Sequence, residues 1–154
     1  MTVTSRTAHG GVRRSRTEGR AARPLPPRLL ASDLFLLAML AHDGRRRLAP
    51  ALARLALGPR EFAVLSVLDD AGASSQQAIV ETLGIDASEI VAAVDLLEAR
   101  ALARRERDAA DRRRYAVTLT ARGRRVLRHA EALAGRAADE VLAALGARDR
   151  AALH

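Results

Sequence analysis

The side chains in this sequence best equipped for chemistry are arginines. Arg112, Arg113 and Arg114 stand together directly after Asp111, inside the polar run from Asp108. A guanidinium is permanently charged and presents a fork of donors that matches phosphate oxygens. Three of them on one turn can follow a phosphate backbone, or press one group into a narrow minor groove where the potential is most negative. Asp111 suits another task, pairing with a neighbouring Arg and fixing the tip. The competing reading is a merely solvated Arg cluster.

The distribution of charge bears on both readings. The formal net charge is +8 and every basic residue other than His is Arg. Residues 57–99 hold one Arg against eight acidic residues, whereas residues 100–128 hold eleven Arg against three. A basic stripe confined to one short segment is an electrostatic footprint for a polyanion, and a solvated surface rich in Arg is the competing reading.

Other chemistries find little support. With no cysteine in the chain, disulfides, thiolate metal sites and thiol redox sensing are excluded. His9, His42, His129 and His154 show no metal-ligand spacing. No glycine-rich phosphate loop, nucleophile elbow or H-E-x-x-H is present. No enzyme is expected, and no catalytic residue, metal or cofactor. No apolar run reaches the roughly 18 residues of a membrane span, and no secretory signal opens the chain. A cytoplasmic protein without a membrane partner is expected.

The elements that must position these groups follow from composition and periodicity. Apolar residues make up 49% of the chain and aromatics 2%, so the core is built of Leu, Val and Ala, which favour helices. Residues 1–28, with seven Arg and several Gly and Pro, read as a disordered basic tail. From Leu29 to Leu57 the pattern is helical, with Leu34, Leu37, Leu40 and Ala41 at helical spacing and Pro50 as a kink or restart. Gly58-Pro59 ends that helix and starts the next, whose buried face is Phe62, Leu65 and Leu68 and whose end is Gly72.

Ser74 or Ser75 then caps a helix of about nine residues that Gly84 stops. Asp86 caps the following helix, with Glu89 completing a capping-box-like pair and Ile90, Val94 and Leu97 as its core face. Two short helices joined through Gly form a helix-turn-helix. Leu102–Arg107 and Tyr115–Leu119 read as strands, the second placing Tyr115, Val117 and Leu119 on one face. Thr120 caps a long helix to about Leu145, and another begins near Ala147.

Several residues on this frame are suited to nucleic acid. Ser75, Gln76 and Gln77 open the first helix of the pair, where phosphate contacts are made. Their competing reading is an ordinary cap and two solvated amides. On the second helix Val91 and Ala92 can meet thymine methyl groups, Glu89 can accept from cytosine, and Ser88 faces the groove beside them. For Glu89 the plain capping box competes. Arg107, at the end of the first strand, adds to the basic wing.

Residues 95–123, DLLEARALARRERDAADRRRYAVTLTARG, resemble the MarR-family signature. Asp95, Leu97, Glu98, Leu102, Arg105, Asp111, Arg112, Arg113, Leu119, Thr120 and Gly123 carry the match, and Gly58-Pro59 and Leu83-Gly84-Ile85-Asp86 add to it. The likeness spans about residues 30–150. It implies a mainly α fold, a winged helix-turn-helix with a two-stranded β wing and long N- and C-terminal dimerisation helices. Within one domain, 29–154, segments 29–57 and 120–154 would dimerise and 58–119 would bind DNA. The resemblance further implies a ligand-responsive repressor, homodimeric on an inverted-repeat operator, with a small aromatic or anionic effector near the dimer interface. Arg113 becomes the groove-inserting residue.

The sequence departs from that pattern in three places. Ala87, Ser88, Glu89, Val91, Ala92 and Leu96 stand where relatives place Thr and Arg, and no Arg occurs between Arg60 and Arg100. Base readout by this helix is therefore expected to be weak. Ala101 stands where relatives often have Gly, and a left-handed Ala there costs about 1 kcal/mol. The last helix is a stub. The acidic, apolar recognition helix supports an alternative, a relative that leaves DNA alone and sequesters a protein partner.

Overall fold

The structure is a computed structural model and describes residues 24–107 and 115–153. Most of the expected tail, and the tip with Asp111, Arg112, Arg113 and Arg114, lie outside the described residues. Where the tail segment enters the description, Pro27–Leu30 already forms one helical turn, α1.

Ser32 caps α2 (Asp33–Ala53), its hydroxyl accepting from the Phe35 N–H at 3.4 Å. Pro50 lies inside this helix, which continues past it for three more residues. Pro59 opens α3 (Pro59–Ala71) at the first turn, and the Glu61 carboxylate accepts from the Gly58 N–H at 2.6 Å. A helix start with Pro inside it and an acid reaching back satisfies donors that would otherwise be orphaned. α4 (Gln76–Leu83) and α5 (Ala87–Ala99) follow, then β1 (Ala103–Arg107) and β2 (Tyr115–Leu119), antiparallel with Ala103 opposite Leu119 and Arg107 opposite Tyr115. α6 (Ala121–Val141) ends four residues before Leu145, in turns that lead to α7 (Ala147–Ala151).

The core lies between α3, α5, the sheet and the junction of α2 with α6. Leu52, Val64, Leu65, Leu68, Ile79, Ile90, Val94, Leu97, Leu102, Val117 and Leu127 are essentially inaccessible. With Ala103 of β1 they draw on every element but α1 and α7, so one cluster fixes the reading head to the long helices. The other half of α2 is different. Leu34 is 78% and Leu37 62% exposed, although their spacing is that of a core stripe. Among the described residues nothing covers this helix face.

Two close approaches pin the sheet to its neighbours. Ser74 forms a two-way backbone bridge to Val117, at 2.8 and 3.1 Å, so β2 is paired on both sides. At the start of α6, a Cβ on Gly123 would stand 2.0 Å from the Leu102 carbonyl oxygen. Only glycine lets the helix begin this close to the strand, and Thr120 locks the junction. Its hydroxyl oxygen accepts from Gly123 N–H at 2.9 Å and lies 2.8 Å from the Ala101 carbonyl.

Candidate nucleic-acid interface

The reading head is two short helices and the turn between them. Ser75 caps α4, its hydroxyl accepting from Ala78 N–H at 3.1 Å. Of the two glutamines behind it, Gln77 donates to Glu81 one turn on at 2.9 Å. The Gln76 amide nitrogen is buried and has no hydrogen-bond partner among the described residues. Gly84 ends α4 at φ 62°, a left-handed cap that a Cβ would strain. Asp86 caps α5 by accepting from both the hydroxyl and the N–H of Ser88, and these bonds, the hydroxyl's first, hold its carboxyl below the ordinary range.

Turning Ile90, Ala93, Val94 and Leu97 to the core leaves Ser88, Val91, Ala92 and Leu96 on the solvent side of α5. Val91 is 42% and Leu96 55% exposed. The expected groove-facing residues are thus accessible, and the surface they form is largely apolar.

Glu89 differs from expectation. Its carboxylate does not complete a capping box with Asp86. It takes the guanidinium of Arg60, from the first turn of α3, with Nε at 2.6 Å and Nη2 at 2.7 Å. A bidentate Arg–carboxylate fork is stronger than a lone N–H to carboxylate bond, and the chain offers this one because α3 packs across α5. Spacing could not show the pair, since its members are 29 residues apart.

The wing is rooted by a second ion cluster. Arg105 on β1 reaches both Glu98 and Asp95 on α5, and its own N–H donates to Glu98 at 2.9 Å. That backbone bond first, and the guanidinium second, hold the Glu98 carboxyl below the ordinary range. Burial pulls the Arg105 guanidinium down, but the two carboxylates outweigh it and leave it raised. The signature residues Asp95, Glu98 and Arg105 are therefore a brace between recognition helix and wing.

At the outer end of the strands Arg107 lies over the Tyr115 ring, 4.9 Å from its centroid, within cation–π range. Tyr115 is 53% exposed, unlike Val117 and Leu119, with which alternation grouped it, and Ala116 is buried instead. The hairpin has left the body of the domain at that point, so no core remains to receive the ring. Asp111, Arg112, Arg113 and Arg114 lie beyond it, outside the described residues.

Two further features carry information that spacing missed. The Arg100 guanidinium, at the C-cap of α5, donates to the Leu55 carbonyl at 2.7 Å and to that of Ala56, in the turn just past the end of α2. Ala56 and Ala101, at φ 51° and 55°, are both left-handed. For Ala101 this agrees with the expectation from the helix-to-strand switch. Along the α2–α6 seam lie an apolar cavity of about 240 Å³, lined by Gly44, Leu48, Ala134, Val141 and Leu142, and a groove of about 450 Å³ bordered by Arg46, Arg47, Arg54 and Arg136. Arg47 is already engaged by Asp43 at 3.0 Å and Glu140 at 2.7 Å.

Comparison with known proteins agrees with this geometry. The MarR family model matches residues 57–114, from the end of α2 to the wing. No protein of curated function matches the sequence. Among solved structures, a MarR-family transcriptional regulator from Rhodococcus sp. RHA1 is 28% identical, with a TM-score of 0.71 over 77% of this chain and 86% of its own. CouR from Rhodococcus jostii RHA1, bound to p-coumaroyl-CoA, is 28% identical, with a TM-score of 0.73 over 81% and 88%. BpsR from Bordetella bronchiseptica, whose DNA binding is regulated by 6-hydroxynicotinic acid, is 27% identical, with a TM-score of 0.71 over 80% and 88%. The family model and these neighbours are those of MarR-family transcriptional regulators, whose winged-helix fold this chain shares. Among the described residues no helix is long and apolar enough to cross a membrane.

Proposed function

We propose that this regulator is a repressor that binds an inverted-repeat operator as a homodimer and releases it when a small aromatic or anionic effector binds beside the dimer interface. The observation that carries the DNA-binding part is the outward face of α5, with Ser88, Val91 and Ala92 accessible at a capped helix-turn-helix. The ion-braced wing root stands beside it. Ser75 and the backbone N–H groups of Gln76 and Gln77 in the first turn of α4 serve the phosphates, Arg107, Arg112, Arg113 and Arg114 serve the wing, and Asp111 fixes its tip.

Dimerisation is supported by the uncovered stripe of α1 and α2. Leu30, Leu34 and Leu37 are 50–78% exposed, and each Å² of such surface removed from water contributes about 25 cal/mol. A two-fold dimer sets two reading heads on half-sites about one helical turn apart. The effector reading is supported by the α2–α6 seam. An apolar cavity beside an Arg-lined groove suits a ring carrying a carboxylate or a similar anion. CouR is bound to p-coumaroyl-CoA, and the DNA binding of BpsR is regulated by 6-hydroxynicotinic acid.

The test is a mobility shift on the DNA upstream of the gene, with the mass of the free protein measured in parallel. The reading expects a particle of about twice 16.5 kDa and a shifted duplex that aromatic acids release. Exposed Val91 and Leu96 favour one other outcome, docking of a protein partner on α5. A dimer that shifts no duplex at low salt would support that outcome.

A further inference from the structure

The recognition helix carries no Arg, yet a guanidinium stands at its N-terminal turn. It belongs to Arg60 of α3 and is held there by Glu89. A helix-turn-helix places the N-terminal residues of its second helix against base edges, so this pair lies at the part of the reading head that enters the major groove. Arg60 is the only basic residue, His apart, between 57 and 99. Its side chain is 55% and that of Glu89 40% exposed, so the couple is not sealed in the core.

The bonding leaves a defined edge free. Glu89 occupies Nε and one Nη2 hydrogen. The end-on edge, Nη1 with the second Nη2 hydrogen, points away from the carboxylate. That edge can meet the O6 and N7 acceptors of guanine, the commonest specific Arg contact. The carboxylate lowers the cost of the contact, because it fixes a side chain that otherwise loses rotamer freedom on binding. It also makes Glu89 a weaker acceptor for cytosine, since each of its oxygens already takes one guanidinium N–H.

We propose that Arg60, positioned by Glu89, is the guanine-reading group of this recognition surface, supplied from α3 in place of an Arg on α5. The proposal rests on the DNA-binding reading above. It predicts one preferred G·C pair in each half-site, at symmetric positions.

The experiment selects duplexes from a random library with wild type, Arg60→Ala, Arg60→Lys, Glu89→Gln and the double variant Arg60→Ala/Glu89→Gln. Dimer mass and urea midpoint are checked for each. Wild type should prefer guanine at the two positions by about 10- to 100-fold. Arg60→Ala should lose that preference and keep the others. Arg60→Lys keeps the charge without the fork and should lose it too, with an unchanged salt slope. Glu89→Gln should weaken the same preference, and the double variant should be no worse than Arg60→Ala, as a positioning role requires. Three results would overturn the proposal. One is a guanine preference that survives Arg60→Ala. Another is a change confined to the salt slope, about 0.9 for one lost phosphate contact. The third is a preference that Glu89→Gln erases and Arg60→Ala keeps. A wild type that binds DNA but enriches no sequence would overturn it as well, whereas one that binds no duplex at all would remove the DNA-binding reading itself.

Discussion

Replacing Ala101 with Gly should make the protein more stable, although it deletes a methyl group and loosens the unfolded chain. Ala101 sits at φ 55° between α5 and β1. The left-handed region costs an L-residue roughly 1–2 kcal/mol through the clash of Cβ with the following carbonyl. Against that relief stands the extra freedom that glycine loses on folding, about 0.5–1 kcal/mol. Little else changes. The methyl is exposed, and the bonds at this residue, its N–H to Glu98 O at 2.9 Å and its carbonyl with the Thr120 hydroxyl at 2.8 Å, are backbone groups that glycine retains. The net gain should be about 0.5–1 kcal/mol. With a urea slope near 2 kcal/mol/M, the midpoint should rise by roughly 0.2–0.5 M at unchanged slope. Protein concentration must be held fixed, since a dimer's stability depends on it. The opposite exchange at Gly44 should have the same sign. Gly44 lies inside α2 with open space where its Cβ would go, so Gly44→Ala should gain about 0.5–1 kcal/mol in helix propensity. An Ala101→Gly midpoint equal to or below wild type, at the same slope, would refute the strain at this position.

Gly123→Ala should lose roughly 1–3 kcal/mol, because the added carbon meets the Leu102 carbonyl and must push α6 off the sheet; urea midpoints measure it. The Glu98 carboxyl is held down in the folded state, so its contribution is complete above the ordinary glutamate value of 4.5 and fades as pH falls below it. Glu98→Gln should therefore flatten the acid side of the midpoint-against-pH curve, and a curve that keeps the wild-type steepness would count against the brace. DNA affinity should fall steeply with salt on specific and scrambled duplexes alike, given the charge of residues 100–128; a flat dependence would deny the charge-led mode. Arg113→Ala should weaken binding to all duplexes, most where an A·T-rich stretch lies under the wing, in titrations that confirm an intact dimer.

The helix boundaries were legible because they are written in local chemistry. Ser75, Gly84, Asp86 and Thr120 cap their helices within four residues of themselves, as their types and places suggest. Ala101 was legible for the same reason, as the residue that must turn a helix into a strand. What escaped depends on distant segments. Arg60 meets Glu89 across a helix packing, Arg100 reaches Leu55 and Ala56 from 45 and 44 residues away, and Ser74 pairs with Val117 across three elements. Periodicity has a further blind spot. It identifies Leu34 and Leu37 as one face of a helix but does not say whose atoms cover that face. The alternation of β2 misplaced Tyr115 because a strand can outrun the core that its pattern assumes.

The hold of Arg100 on the end of α2 has a mechanical consequence. It ties the C-terminal end of α5 to the helix that lines the α2–α6 seam, while the other end of α5 is the one that would enter a groove. α5 has thirteen residues, so at 1.5 Å per residue it is a lever arm of about 20 Å. Pivoting it about its fixed end by about 10° would sweep the far tip through roughly 3 Å. That is close to the spacing of about 3.4 Å between successive phosphates along one strand's axis. A displacement at the α2 terminus too small to disturb the packing there would thus arrive at the groove magnified into a mismatch of almost one base step.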